Sequence, residues 1–248
     1  MEFANKNIIV AGGSSGIGRT TAIELSKAGA NVILIGRSEA KLNNVLTSDL
    51  ASGNHSVFAF DFEQTENVKD LVQSISSKYD HIDGFVYSVG IAKRVRFNSL
   101  TTDVLNSVMK VNFYSFVEML RNLVSAKKKD QTLKVVAISS LASNENTKLF
   151  LPYAASKNAL ESSIRILANE LKSKNVFISG IKPAYVDTPF VAPNNDIYGD
   201  FNQYLKDGYQ PLGLIPTKVV SDAVFMLLGN NANFYTGSCI SIPAGVSC

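Results

Sequence analysis

The chain has 248 residues, 46% of them hydrophobic, a net charge of +3 at pH 7, two cysteines (Cys239 and Cys248) and two histidines. That length and apolar content suit one large core, so a single domain over residues 1–248 is expected. A charge this small gives no reason to expect nucleic acid. Two cysteines without a C-x-x-C indicate neither a disulfide framework nor a metal site. No stretch is long and apolar enough to span a bilayer, and the first residues lack the apolar run of a signal peptide. A soluble, cytoplasmic protein with no membrane partner is the expectation.

Residues 7–10, Asn-Ile-Ile-Val, read as a short buried strand that runs into Ala11-Gly12-Gly13-Ser14-Ser15-Gly16-Ile17-Gly18. A helical pattern follows, with Ile17, Thr21, Leu25 and Ala28 on one side. Strand, glycine turn and helix in this order suit a dinucleotide, because glycine permits close backbone approach and a helix N-terminus offers free N–H groups to a pyrophosphate. The spacing Gly12-x-x-x-Gly16-x-Gly18 is one residue wider in its first gap than G-x-G-x-x-G. Apolar runs at 32–35, 57–60, 84–87, 135–138 and 176–181 predict further buried strands, and helical periodicity fills 19–28, 39–50, 67–78, 102–127 and 153–174. The alternation predicts a doubly wound parallel α/β sheet with ligands at the carboxyl ends of its strands. One stretch breaks the rhythm. Residues 188–216 carry four prolines and five aromatic residues, which predicts a lid over the site.

The most informative constellation is Tyr153 and Lys157, four apart in Tyr-Ala-Ala-Ser-Lys. On a helix such residues share a face at about 5–6 Å between Cβ atoms. A lysine ammonium there favours phenolate over phenol and would draw a reference pKa of about 10 toward neutrality, as a general acid or base requires. Ser140, at the end of the 135–138 strand, can offer a hydroxyl to the same substrate oxygen. Asn112 stands inside the 102–127 helix although asparagine is a poor helix former, so its place there needs a reason.

With the wide glycine motif, the serine thirteen residues before the tyrosine and Tyr-x-x-x-Lys in this order, the chain resembles the short-chain dehydrogenase/reductase family from Asn5 to its last residues. The resemblance implies a Rossmann-type fold in which Tyr153 is the catalytic acid/base, Ser140 positions a substrate carbonyl, and Lys157 lowers the tyrosine pKa and holds the nicotinamide ribose. It implies that Asn112 sits in a locally bent helix and serves a proton relay. For the cofactor it implicates Gly12, Ser14, Ser15, Gly16, Ile17 and Gly18 on the phosphates, Asp61 and Phe62 at the adenine, and Ser88 and Gly90 after the central strand. Pro183, Val186 and Thr188 would lie near the nicotinamide. Tyr87-Ser88 replaces the family's asparagine pair, which demands a different packing of that strand. Ala184 replaces its glycine after Pro183.

Cofactor choice is read at the end of the second strand, where an NAD-preferring fold carries Asp or Glu and this chain has Gly36-Arg37-Ser38. Arg37, with Ser38 or Ser15, would hold a 2′-phosphate through charge-assisted hydrogen bonds, which predicts NADP(H). The implied activity is NADPH-dependent reduction of a carbonyl to a secondary alcohol, with no metal. The substrate stays open among a small ketone, a sugar, a secondary-metabolite intermediate and a 3-oxoacyl thioester on an acidic carrier protein. The carrier option draws on Lys128, Lys129, Lys172 and Lys174. A non-catalytic NADP(H)-sensing or scaffold protein is the alternative class. A homodimer or homotetramer is expected, paired through apolar residues of 102–127 and 153–174 such as Val108, Phe116, Met119, Leu160 and Ile164.

Overall fold

The structure is a computed structural model and describes residues 2–143 and 148–246; Cys248 lies outside the described residues. Seven parallel strands form one sheet in the order β3-β2-β1-β4-β5-β6-β7. They are β1 (Asn7–Ala11), β2 (Asn31–Gly36), β3 (Ser56–Ala59), β4 (Gly84–Tyr87), β5 (Leu133–Ile138), β6 (Val176–Pro183) and β7 (Cys239–Ile242). The chain winds outward from β1 to β3, returns to β4 on the other side of β1, and winds outward again. The order therefore reverses between β1 and β4, where such sheets open a crevice.

Side chains alternate across a strand, and the core divides accordingly. Ile8 and Val10 of β1 with Val32 and Leu34 of β2 face one layer, which holds α1 (Gly16–Lys27), α2 (Glu39–Ser48) and α9 (Thr217–Leu228). Ile9 and Ala11 with Ile33 and Ile35 face the other layer, which holds α3 (Val68–Lys78), α5 (Ser115–Ala126) and α6 (Leu151–Leu171). Because both faces are covered, the strands read as unbroken apolar runs. The expected strands and helices fall where the runs predict, with ends moved by a few residues. Helix α9 and strand β7 carried no expectation: β7 is short and half-buried at the sheet edge.

The helix expected over 102–127 is three pieces. Helix α4 (Thr102–Met109) passes through a π-helical turn, Lys110–Tyr114, into α5. A π turn releases a main-chain carbonyl from its usual partner. The Val111 carbonyl accepts from Ser115 Oγ at 2.9 Å and from the Tyr87 hydroxyl. Tyr87 is fully buried on β4, so its phenol ties the central strand to the bent helix at the position of the family's asparagine pair.

Residues 188–216 contain two short helices, α7 (Asn195–Tyr198) and α8 (Phe201–Gly208). Val191, Phe201 and Leu205 form a small core there with Tyr185, Tyr209 and Leu214. Gln210, fully buried, closes the base of this segment: its amide accepts from Tyr185 N and donates to Tyr185 O, both at 2.9 Å.

Val108, Phe116, Met119, Leu160 and Ile164, expected at a subunit interface, are buried within the chain itself, the last four in the core against the sheet. They cannot also face a partner. Among the described residues no helix is long and apolar enough to cross a membrane, and no three His, Cys, Asp or Glu side chains gather as for a metal.

Candidate active site

A single cavity runs along the carboxyl ends of β1, β2, β4, β5 and β6. At one end lies the turn between β1 and α1. Gly12 adopts φ +82°, and a Cβ there would lie 2.7 Å from the Ser88 carbonyl oxygen. A Cβ on Gly18 would lie 2.2 Å from the Gly12 carbonyl oxygen. No other residue fits either position, which is the local reason for the motif. Gly18 thus acts by letting α1 close on the turn and does not itself line the cavity. Ser14, Ser15, Gly16 and Ile17 do line it. The N-cap residue Ser15 makes no side-chain capping bond, so the first N–H groups of α1 remain available at the cavity wall.

Arg37 follows β2, is exposed and lines the same end, where Gly36 leaves room beside it. Ser38 is placed differently. Its hydroxyl caps α2 by accepting from Lys41 N, and it does not line the cavity. Asp61 and Phe62 line the cavity after β3, and the Asp61 carboxylate accepts from Glu63 N at 3.0 Å. Ser88 and Gly90 line it after β4, and Pro183, Val186 and Thr188 after β6.

Tyr153, Ser140 and Lys157 meet at the other end. Tyr153 and Lys157 share the buried face of α6 as their spacing requires. Their electrostatics differ from the sequence expectation. Burial pushes the Tyr153 phenol up to about 12, opposed by a side-chain hydrogen bond with Ser140. Lys157 does not counter that burial: its Nζ lies 5.7 Å from the Tyr153 ring centroid and donates to the Ile138 carbonyl at 2.8 Å. Burial also pulls the Lys157 ammonium down to about 8, partly offset by Glu161. Within the protein chain the tyrosine is therefore a firmly protonated phenol.

Asn112 lies in the π-helical turn, as its presence inside a helix required. Its side chain is fully buried and does not line the cavity. Oδ1 accepts from Ile91 N at 2.9 Å, and Nδ2 donates to Ile91 O at 3.0 Å and to Ser156 Oγ at 2.9 Å. The amide clamps the loop after β4 beside Lys157; a Cβ on Gly90 would lie 3.5 Å from Lys157 Nζ.

Sequence reasoning missed a buried polar cluster behind this end. Glu161, one turn beyond Lys157, accepts from Ser139 Oγ at 2.7 Å and pairs with Lys182 at 3.2 Å. The available signal was a lysine within the buried β6 run, which demands a partner. Of the cavity's aromatic walls, sequence reasoning anticipated Phe190 and Tyr209, as part of the 188–216 segment, but not Phe150 or Tyr185. The Phe150 ring meets Tyr153 edge-on with centroids 6.1 Å apart, and Phe190 lies tilted at 5.9 Å. Tyr185 and Tyr209 complete the lining.

The lysines invoked for a carrier protein stand elsewhere. Lys128 and Lys129 follow α5, and Lys172 and Lys174 follow α6, at the amino ends of β5 and β6. From Tyr153 to Lys172 the helix axis alone covers roughly 28 Å. Lys128 pairs with Asp80, and Lys172 Nζ donates to Asn169 Oδ1 at 2.9 Å.

A doubly wound sheet with a glycine turn facing a cavity at its switch point defines a dinucleotide-binding α/β protein. Residues 6–198 match the family described as short chain dehydrogenase, and the chain belongs to that family of oxidoreductases. It is 30% identical to an L-xylulose reductase of Caenorhabditis elegans, over 99% of this chain and 97% of that protein. It is 28% identical to a 3-oxoacyl-acyl-carrier-protein reductase of Chlamydia trachomatis, over 99% and 98%. L-Sorbose reductase from Gluconobacter frateurii, solved with NADPH and L-sorbose, shares the fold with a TM-score of 0.91 at 20% identity, over 99% of this chain and 98% of that one.

Proposed function

We propose that the protein is an NADP(H)-dependent reductase that converts a carbonyl to a secondary alcohol. The observation that carries this reading is the meeting of the Tyr153 phenol, the Ser140 hydroxyl and the Lys157 ammonium in one cavity with the glycine turn and Arg37. The residues present fit the cofactor. The turn is too close-packed for a Cβ at Gly12 or Gly18 and presents uncapped helix N–H groups suited to a pyrophosphate, while Arg37 supplies a cation where a carboxylate would reject a 2′-phosphate. Asp61 and Phe62 would meet the adenine, Ser88 and Gly90 would lie against the cofactor after β4, with Gly90 beside Lys157, and Pro183, Val186 and Thr188 would lie near the nicotinamide. That a structural neighbour was solved with NADPH bound supports the same assignment.

The bound cofactor supplies the hydride. Ser140 and Tyr153 orient the substrate oxygen, and Tyr153 donates its proton as charge develops there. A phenol held up near 12 is in the form that donation needs. Lys157 would hold the nicotinamide ribose, and Asn112 holds the loop after β4 that flanks it. The segment 188–216 serves as a lid over the Tyr153 end. The whole chain works as one domain, and its assembly as a homodimer or homotetramer would have to use faces other than the buried ones above.

Tyr153→Phe tests the chemistry, because it removes one oxygen while preserving the ring. Turnover of any accepted ketone should fall about 10²–10⁴-fold with NADPH affinity unchanged, read by NADPH oxidation and by nucleotide fluorescence titration. Turnover within threefold of wild type would remove Tyr153 from the mechanism.

A further inference from the structure

Resting on that reductase reading, we infer that the substrate is an uncharged ketone bearing an aromatic ring next to its carbonyl, and is neither a sugar nor a carrier-bound thioester. The walls around Tyr153 are apolar. Phe150 and Phe190 flank its ring at 6.1 and 5.9 Å, and Leu141, Ile91 and Val191 line the same end. The Phe150, Phe190 and Tyr153 rings offer edges and faces against which a further flat ring can pack.

The charge distribution points the same way. Among the described lining residues only Arg37, Asp61 and Lys157 carry charge. Arg37 and Asp61 follow β2 and β3, at the far end of the cavity from Tyr153. Lys157 donates to the Ile138 carbonyl. The nearby Arg94 is engaged outside the lining: its guanidinium stacks 5.0 Å from the Phe150 centroid and bonds Asn194 Oδ1. An anionic substrate would find no counter-ion beyond the lysine already assigned to the ribose.

Polar partners are equally scarce for a ketose. Among the described residues the hydroxyls at this end are those of Ser139, Ser140, Tyr153, Tyr185, Thr188 and Tyr209, and Thr188 donates to the Val186 carbonyl at 3.2 Å. Ser139 donates to Glu161. Ser140 and Tyr153 are taken by the reacting oxygen, and Tyr185 and Tyr209 have partners within the protein. Each sugar hydroxyl buried here without a partner lowers kcat/KM by roughly 5- to 150-fold. A thioester tail reaching a docked carrier gains nothing from Lys128, Lys129, Lys172 and Lys174, which lie toward the amino ends of β5 and β6.

The experiment compares kcat/KM with NADPH for 1-tetralone and acetophenone, for cyclohexanone, for L-xylulose and for acetoacetyl-coenzyme A, with NADPH binding measured separately. The aryl ketones should exceed L-xylulose and the thioester by at least about 100-fold. Phe190 is half exposed, so Phe190→Ala should fold; it should cut aryl-ketone kcat/KM by about tenfold or more, spare NADPH affinity, and be rescued by Phe190→Tyr. Equal or better turnover of L-xylulose or the thioester, or a Phe190→Ala variant as active as wild type on aryl ketones, would overturn the inference and leave the reductase reading standing. NADPH binding without turnover of any of these carbonyls would overturn both.

Discussion

Lys157 on α6 and Lys182 on β6 are both buried, yet the protein holds them in opposite ways. Lys182 has a carboxylate: Glu161 pairs with it at 3.2 Å and is fixed in turn by Ser139. Lys157, one turn earlier, has only the neutral Ile138 carbonyl at 2.8 Å, and burial pulls its ammonium down to about 8. Removing charge from water costs several kcal/mol unless a counter-charge and hydrogen bonds replace the solvent. The Glu161 cluster is complete within the fold and braces α6 against β5 and β6. The Tyr153 end of the cavity is incomplete within the fold, and a group with bonding capacity left over is a group kept for a ligand.

The strongest way to break this contrast is to unbalance the complete cluster. Glu161→Gln would leave Lys182 buried without a counter-charge and should cost about 3–5 kcal/mol in urea unfolding, with much of it recovered in Glu161→Gln/Lys182→Met. A loss below about 1 kcal/mol would show that the cluster is not the brace described. Lys157→Met should act in the opposite direction. The folded state binds its proton less tightly than the unfolded state, so wild-type stability carries the full penalty below pH 8 and regains it as pH rises from 8 to 10.5. The variant should be more stable than wild type by about 3 kcal/mol at pH 7, with the gap closing toward pH 10.5, while turnover falls. A gap that does not change with pH would mean that the ammonium is not destabilised by burial.

The neighbours Arg37 and Ser38 sharpen the same contrast at the other end of the cavity. Among the described residues Arg37 makes no ion pair, so Arg37→Ala should leave stability intact and weaken NADPH binding by about 1.5–3 kcal/mol, with NADH nearly unchanged. Calorimetric titration of both cofactors checks this, and equal losses would make Arg37 structural. Ser38 has its hydroxyl committed to the α2 cap. Ser38→Ala should cost about 1 kcal/mol of stability and leave NADPH affinity within twofold. A loss of affinity without a loss of stability would return Ser38 to the phosphate site.

The lysine comparison also marks where sequence reasoning stops. Tyr153 and Lys157 could be placed together because a spacing of four fixes neighbours on any helix. The burial that sets both protonation equilibria comes from β5, the loop after β4 and Phe190, none of which is near in sequence. The error about the tyrosine pKa has that origin: the ammonium that was expected to attract the phenolate is turned to Ile138.

What the sequence by itself determined is what local pattern controls. Unbroken apolar runs dictated parallel strands, glycines at 12, 16 and 18 dictated a turn no side chain could occupy, and an asparagine inside a good helix called for a reason, which the family resemblance gave as a bend and which is the π turn at Lys110–Tyr114. Only the tertiary structure decided which distant groups complete one another. Packing joined Glu161 to Ser139 and Lys182, gave the π turn's freed carbonyl to Tyr87, and turned the Asn112 amide onto Ile91. It buried the supposed interface residues within the chain itself, and the direction of winding carried Lys128 and Lys172 toward the amino ends of β5 and β6, away from the cavity. Hydrogen bonding and desolvation depend on the full three-dimensional neighbourhood of a group, and no spacing along the chain encodes that.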